Sequence, residues 1–206
     1  MGAGLAAVSP YAGELFEVCE EEQRLLPLGV VPGTYGVERH AITFHGQAAH
    51  SGSTPMNRRK DAFLAAGKMS QEIYRITERH GGVGTIGSCT TRPGIVTSVV
   101  EDCRITLDQR HLDAPALARS LAEARAASER FAGEGGVEVV WSRLWNIAPV
   151  PFDPRLIGLC EEAILETCGK SHRLPSGPLH DAAEVARAGV PTVMMFVQSL
   201  RGLSHN

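Results

Sequence analysis

Residues 45–62, which read HGQAAHSGSTPMNRRKDA, constrain the fold more than any other stretch of the chain. An alternating strand pattern precedes them and a helical spacing of apolar residues follows, so they predict a strand, a turn and a helix. Thr54 can cap the helix through its side-chain oxygen, and Pro55 suits the first helical position, where its missing N–H costs nothing. His50 would lie on the turn, where a side chain can meet a ligand. Taken alone, a histidine in a polar turn is more often without a catalytic role.

The pattern from residue 35 to residue 146 predicts the element order βαββαβ. We expect strands over residues 36–44, 83–89, 96–109 and 137–141, and helices over about 55–79 and from Asp113 to about 133. This order is typical of the ferredoxin-like fold, in which an antiparallel four-stranded sheet carries both helices on one face. The sequence therefore predicts an α+β unit over residues 36–148.

Residues 149–206 have the pattern of a different, α/β layer. We expect a helix over about 154–168, a loop over 175–182 that leads into a short helix, and a strand over 192–197 that is apolar enough to be buried in a parallel sheet. Near the other end, residues 28–33 predict a turn into the first strand, and the glutamates at positions 20–22 predict a solvated helix face. We therefore expect three segments, 1–35, 36–148 and 149–206.

Composition argues against several classes of function. A net charge of −3 gives no electrostatic reason to bind nucleic acid or an anionic membrane, and no apolar run is long enough to span a bilayer. The start of the chain lacks the basic region of a signal peptide. Five cysteines without a C-x-x-C pair predict reduced thiols in a cytoplasmic protein. An RNA-binding βαββαβ domain is rejected because the two middle strands contain no aromatic residue.

Residues 45–62 resemble the sequence G-x-A-x-H-[AS]-G-[ST]-T-P-M-x-x-R-x-D-A of the M20-type metal-dependent amidohydrolases. The resemblance is to the branch that contains allantoate amidohydrolase, N-carbamoyl-L-amino-acid hydrolase and β-ureidopropionase. Three other stretches extend it: residues 107–110 resemble L-D-I-R, residues 174–182 resemble P-S-G-A-G-H-D-A, and residues 196–206 resemble F-V-P-S-x-x-G-I-S-H-[NS]. Together the matches cover about residues 29–206, which correspond to the second half of a family member.

The resemblance implies hydrolysis of a linear C–N bond, in an N-carbamoyl amino acid or an allantoate-like ureide, by metal-assisted attack of water. It assigns His50 and His180 to stabilising the oxyanion that forms on the scissile carbonyl. Arg110 would bind the substrate carboxylate through its fork of N–H donors. An ion pair of Arg110 with Asp108 or Asp113 is the structural alternative.

Three further positions follow from the resemblance. Thr97 and Gly177 fall on substrate-binding positions, and His205 falls on a ligand position for zinc or manganese. Thr97 replaces the family's asparagine, and a hydroxyl cannot reproduce the paired contacts of an amide, so the substrate stays open. The family also has a metal-binding histidine before position 40, where this sequence has none.

One histidine does not make a catalytic metal site, which takes about three protein ligands. The family's other ligands and its general-base glutamate come from a segment that would precede residue 1. We therefore expect a lid or dimerisation domain (36–148) and the last part of a catalytic domain (149–206, with a remnant and linker at 1–35). Such a chain would be inactive alone and would expose apolar surface around residues 192–197. By resemblance, the complete enzyme would bind zinc or manganese, whereas this chain by itself could lack a bound metal.

The partners expected by resemblance are a carboxylate-bearing ureide, a second copy bound through the lid, and a separate chain that carries the missing half. Neither nucleic acid nor a membrane is expected. Two alternatives stay open at this point. One is a non-catalytic dimerisation or binding module derived from the lid, and the other is an M20 aminoacylase or peptidase.

Overall fold

The computed structural model describes residues 27–198, and these form two compact units. One unit is continuous and contains Gly36–Ala148, and the other combines the described residues on either side of it. Each unit has a hydrophobic core of its own. The predicted acidic helix face and the metal-ligand position His205 lie outside the described residues. None of the helices within residues 27–198 has the length and apolar character needed to cross a membrane.

The elements are numbered here in chain order. The strands are β1 (Leu28–Val31), β2 (Gly33–Thr34), β3 (Gly36–His45), β4 (Ala49–His50), β5 (Val83–Arg92), β6 (Ser98–Val99), β7 (Asp102–His111), β8 (Glu138–Ile147), β9 (Val150–Pro151) and β10 (Met194–Val197). The helices are α1 (Ala62–His80), α2 (Ala114–Gly135), α3 (Pro154–Cys168) and α4 (Asp181–Arg187), and a single 3-10 turn covers Met56–Arg58.

The continuous unit is built on a four-stranded sheet in the order β5-β7-β3-β8, with every neighbouring pair antiparallel. Along β7, Cys103, Ile105 and Leu107 are buried and pack with residues of α1 and α2, so both helices lie on one face. The alternate residues of β7 face the other way, because successive side chains of a strand point to opposite sides. The sequence-based prediction of a ferredoxin-like fold is confirmed.

The apolar residues that predicted the two helices do form their buried faces. All five in α1 are buried, and so are two of the three in α2, since Leu121 is only partly buried (Ala62, Ala66, Met69, Ile73, Ile76; Leu117, Ala124). An aspartate caps the start of α2, as predicted: Asp113 accepts a hydrogen bond from the Ala116 N–H at 3.0 Å. The helix ends at Gly136, whose φ of 59° suits a residue without a side chain.

The first helix begins later than the sequence pattern predicts. It starts at Ala62 rather than Pro55, and its cap is Asp61 rather than Thr54: the Asp61 carboxylate accepts from the N–H groups of Phe63 and Leu64. Two long-range hydrogen bonds explain the delay. Gln47 N–H donates to the Lys60 carbonyl at 2.9 Å, and Ala62 N–H donates to the Val100 carbonyl at 3.1 Å. These bonds hold residues 60–62 against the segment that follows β3 and the segment that follows β6, so the helix cannot begin before them.

The predicted strand over residues 96–109 is two strands, β6 and β7, and β5 and β8 both run further than predicted. β6 pairs with β4, outside the four-stranded sheet. Between β6 and β7 the Glu101 carbonyl accepts a hydrogen bond from Gly46 N–H at 2.6 Å. The Glu101 N–H donates to the carbonyl of Arg92, the last residue of β5, at 2.9 Å, so Glu101 bonds both to β5 and to the segment that follows β3.

The second unit contains two small antiparallel ladders, β1 with β10 and β2 with β9. The expectation of a parallel sheet around β10 is wrong for the described residues, and residues 28–33 form strands rather than the predicted turn. Val30, Val31 and Phe196 pack with α3 in the core of this unit. β10 is buried on one side only, since Met195 and Val197 are about half exposed. The predicted helix over 154–168 is confirmed, capped by Asp153.

His40 is a buried polar group in the core of the continuous unit. Its ring lies edge-on to Trp141, and its Nε2 is 2.9 Å from a carboxylate oxygen of Glu38, which also pairs with Arg143. Its Nδ1 has no hydrogen-bond partner among the described residues. Burial lowers the pKa of His40, and it outweighs the hydrogen bond with Glu38, which acts in the opposite direction.

This lowered pKa predicts a loss of stability in mild acid. The unfolded chain takes up a proton near the ordinary pKa of histidine, about 6.5, whereas the folded chain takes it up only at lower pH. The free energy of unfolding should therefore fall as the pH drops below that value, and urea unfolding at several pH values measures the fall. His40→Gln should reduce the fall, and the exposed-site control His172→Gln should not. Equal falls in the two variants would contradict this origin.

Candidate functional site

His50 is held on a short loop by backbone hydrogen bonds from two directions. β4, which contains it, pairs with β6 through His50 and Ser98, and Ser51 N–H donates to the Thr97 carbonyl at 3.0 Å. Thr54 N–H donates to the carbonyl of His50 itself at 3.1 Å. The structure thus brings together two of the predicted site residues, His50 on β4 and Thr97 in the turn just before β6, and both are exposed.

The His50 ring is fixed in one tautomer when it is neutral. The Gly52 N–H donates to its Nδ1 at 3.1 Å, and a backbone amide can act only as the donor. Nδ1 is therefore the acceptor, and a neutral ring carries its proton on Nε2. The side chain then offers an N–H donor, which suits binding to a carbonyl oxygen or to an oxyanion.

Arg59 stabilises the His50 loop through two side-chain hydrogen bonds. Its guanidinium donates to the carbonyl of Ser51 at 2.5 Å and to the carbonyl of Thr54 at 3.1 Å. The arginine and the aspartate of the T-P-M-x-x-R-x-D-A motif are Arg59 and Asp61. In this chain Arg59 stabilises the loop and Asp61 caps α1. The motif contains both residues, but the sequence alone did not indicate these structural roles.

Large apolar side chains are exposed in the two segments next to this loop, the 3-10 turn that follows it and the residues that precede Thr97. Val96 is 98% exposed and Ile95 is 60% exposed, and both precede Thr97 in the connection between β5 and β6. Met56, in the 3-10 turn after the loop, is 76% exposed. The Ser98 N–H donates a hydrogen bond to the Ile95 carbonyl at 3.4 Å, which makes this connection a tight turn. These residues give the exposed end of the unit an apolar rim beside His50.

Arg110 forms the first of the two ion pairs considered from the sequence. Its Nε and a terminal nitrogen donate to the two oxygens of Asp108 at 2.7 and 3.1 Å, and Arg39 donates to the same carboxylate at 2.5 Å. Partial burial would raise the pKa of Asp108, but the hydrogen bonds from Arg110 and Arg39 outweigh it and lower that pKa. The guanidinium of Arg110 is thus held by a carboxylate of the chain itself.

Arg110 and His50 lie at opposite ends of the sheet. The register pairs His45 with Asp102 at one end and Gly36 with His111 at the other, and His50 follows His45. Arg110 lies eight positions after Asp102 along β7, which is roughly 26 Å at the usual rise of a strand. A single small substrate cannot touch both residues of one chain.

His45 and Asp102 form a polar pair at the His50 end that sequence analysis missed. Nδ1 of His45 is 2.7 Å from one oxygen of Asp102, and Arg92 donates to the other. These hydrogen bonds, the one with His45 first, lower the pKa of Asp102. The pair depends on the register of β3 against β7, so no local sequence signal indicates it.

The second unit carries Gly177 and His180 on one loop, as predicted. The buried Ser176 connects this loop to β2: its N–H donates to the Gly33 carbonyl at 2.9 Å, and its carbonyl accepts from Tyr35 N–H at 2.8 Å. His180 precedes α4, and its Nδ1 accepts from the Ala182 N–H at 3.1 Å. By the same reasoning as for His50, the neutral ring carries its proton on Nε2.

The described residues do not fit a catalytic metal. Within residues 27–198, no three or more side chains of histidine, cysteine, aspartate or glutamate converge on a position that could hold an ion. The predicted ligand His205 lies outside that range. Catalytic zinc sites use about three protein ligands, so this part of the chain does not supply one.

Comparison with known proteins places these features in a family. The family model described as Peptidase family M20/M25/M40 matches residues 12–206. The N-carbamoyl-L-amino acid amidohydrolase of Geobacillus stearothermophilus is 31% identical over 194 residues, which are 90% of this chain and 45% of that protein. The allantoate amidohydrolase of Escherichia coli K12 is 28% identical over 190 residues, which are 91% of this chain and 46% of that protein.

A solved structure gives the same picture. The crystal structure of an amidase of the hydantoinase/carbamoylase family from Burkholderia multivorans superposes with a TM-score of 0.83 at 34% sequence identity. The match covers 90% of this chain and 45% of that one. The chain therefore spans less than half the length of the relatives that it matches.

Proposed function

Because the chain belongs to peptidase family M20/M25/M40, we propose that it supplies the oxyanion-binding and carboxylate-binding groups of an amidohydrolase. The reaction is hydrolysis of a linear C–N bond in an N-carbamoyl amino acid or an allantoate-like ureide. One observation carries the proposal. His50 and His180, the two histidines expected to act on the scissile carbonyl, are both held by a backbone N–H in the tautomer that presents Nε2–H.

The chemistry assigned to these histidines is donation of a hydrogen bond. As water adds to the ureido carbonyl, negative charge develops on its oxygen, and an N–H donor placed there beforehand stabilises that charge without reorganising. A ring whose Nδ1 accepts from the backbone does not rotate freely, so the donor direction is set by the loop. By resemblance, the general base and the metal ligands belong to a segment outside the described residues, which contain no cluster of metal-binding side chains.

The distance between Arg110 and His50 supports an assembly of two copies. In the proposed homodimer, each active site takes His50 and Thr97 from one chain and Arg110 from the other. The substrate carboxylate would then replace the Asp108 carboxylate as the partner of the Arg110 guanidinium. The metal ligands, for zinc or manganese by resemblance, would come from a segment in the same polypeptide or in a separate chain.

The apolar rim favours one substrate class over the other. Met56, Ile95 and Val96 expose large apolar side chains beside His50 and Thr97, and contact with an apolar group would remove them from water. An N-carbamoyl amino acid with an aliphatic side chain offers such a group, whereas allantoate carries a second polar ureido group. We therefore place N-carbamoyl amino acids such as N-carbamoyl-L-leucine first.

Metal analysis and hydrolysis assays test the function. The purified chain, with zinc or manganese added, should hold no stoichiometric metal and should hydrolyse neither N-carbamoyl-L-leucine nor allantoate. Co-expressed with a segment that carries the family's metal ligands, it should hydrolyse N-carbamoyl-L-leucine faster than allantoate. Turnover by the chain alone would show that its own residues complete the site. A metal-loaded assembly that cleaves no ureide would refute the proposal.

A further inference from the structure

Two cysteines of the continuous unit lie within reach of one another. The Sγ atoms of Cys89 on β5 and Cys103 on β7 are 3.6 Å apart. These strands are neighbours in the sheet, with Cys89 opposite Ile105 and Cys103 opposite Thr91, so the two cysteines are diagonal to each other. In a disulfide bond the sulfur atoms are about 2.05 Å apart, so each sulfur would have to move by less than about 1 Å.

The two thiols differ in accessibility. Cys89 is exposed, whereas Cys103 is fully buried among the side chains of the helix-covered face. Burial, and then the interaction with Cys89, raises the pKa of Cys103 to about 12. A reagent in solution therefore meets the sulfur of Cys89 first, because thiolates are the reactive species and the second thiol is both protonated and covered.

We propose that Cys89 and Cys103 are a redox-active thiol pair that a small-molecule disulfide, such as glutathione disulfide, converts into an intramolecular disulfide bond. The Cys89 thiolate attacks one sulfur of the reagent, the reagent's S–S bond breaks, and one thiolate leaves. Cys103 then gives up its proton to solvent and attacks Sγ of Cys89, so that a second reagent thiolate leaves. Two electrons pass from the protein thiols to the reagent, and two protons are released.

Proximity makes the second step feasible despite the burial of Cys103. Once Cys89 carries the reagent, the attacking and attacked sulfur atoms already belong to neighbouring strands, and an intramolecular reaction has a large effective concentration. Modification of Cys89 also removes its contribution to the raised pKa of Cys103, which leaves burial as the main remaining cause.

The bond would affect the exposed end of the unit. Cys89 lies three residues before Arg92, where β5 ends, and Cys103 follows Asp102, where β7 begins. The connection between these ends carries Ile95, Val96 and Thr97. A disulfide at its base would fix the two strands from which this connection emerges.

Mass spectrometry of the folded chain tests the proposal. The protein is incubated with glutathione disulfide, free thiols are blocked with iodoacetamide, and peptides are mapped without reduction. We expect a peptide pair linked through Cys89 and Cys103 that dithiothreitol separates. In Cys103→Ala the reaction should stop with glutathione on Cys89. In Cys89→Ser, Cys103 should stay reduced until urea unfolds the chain.

Other products would overturn the inference. Glutathione that stays on Cys89 of the natural chain would show that Cys103 does not resolve the mixed disulfide. Disulfides from Cys89 to Cys160, to Cys168 or to another copy would show a different pairing. Complete protection of Cys89 would show that the thiol is not accessible. The alanine at position 103 avoids a buried hydroxyl, and circular dichroism of each variant checks that it is folded.

Discussion

Replacement of His50 by alanine should lower kcat for ureide hydrolysis by about 10²–10³-fold in the metal-loaded assembly, since loss of one oxyanion donor has an effect of this size. His50→Gln separates the donor from the ring: its side-chain NH₂ can reach the position of Nε2, whereas the shorter amide of His50→Asn reaches only that of Nδ1. Gln should therefore retain more activity than Asn or Ala. The measurement is kcat under saturating N-carbamoyl-L-leucine.

A matched control is available on the other unit. His172 is exposed, and its described hydrogen bond to Val30 N–H uses the main-chain carbonyl, so His172→Ala removes a histidine without removing that bond. Its kcat should equal that of the natural protein. If His50→Ala retained the same kcat, or if Asn supported more activity than Gln, the role assigned to Nε2–H would be wrong.

Gly46→Ala should destabilise the continuous unit by about 1–3 kcal/mol, the usual penalty for forcing atoms into a packed position. A Cβ on Gly46 would overlap the Lys60 carbonyl oxygen, and because that oxygen belongs to the backbone, a side-chain rotation cannot relieve the clash. The displaced segment would be the one that links β3 to the His50 loop and to α1. Urea unfolding followed by circular dichroism measures the loss.

Gly67→Ala provides the opposite result in the same unit. Gly67 lies within α1, and a Cβ there meets nothing within 4 Å. Alanine in a helix interior should stabilise the unit by about 0.5–1 kcal/mol relative to glycine. If the two variants unfolded at the same urea concentration, the close approach of Gly46 to Lys60 would not exist in solution.

Local signals predicted most of the continuous unit. The spacing of Met69, Ile73 and Ile76 predicted α1, and Asp113 with its following proline predicted the start of α2. The wrong predictions concern positions where two residues are equally suitable locally and hydrogen bonds from distant backbone groups determine which one is used. Thr54 and Asp61 are both good helix caps, and the bond from Gln47 to Lys60 favours the second. No local pattern contains that bond.

The candidate site was predicted in parts, and its geometry was not. The motifs indicated His50, Thr97, Gly177 and His180, whose roles stay predictions. The tautomers of the two histidines depend on the backbone N–H groups of Gly52 and Ala182, which only the turn conformation brings to Nδ1. The separation of His50 from Arg110 depends on the antiparallel register of β3 and β7, so sequence alone could not show it.

The sheet that separates these residues has a mechanical consequence. Hydrogen bonds along β3 and β7 make the sheet rigid, with His50 near one end of these strands and Arg110 near the other. In the proposed pair of chains each sheet spans two active sites, so a tilt that brings one end closer to its substrate also displaces the other end. Substrate binding at one active site would then change the substrate affinity of the other. The two sites of the dimer would be coupled rather than independent.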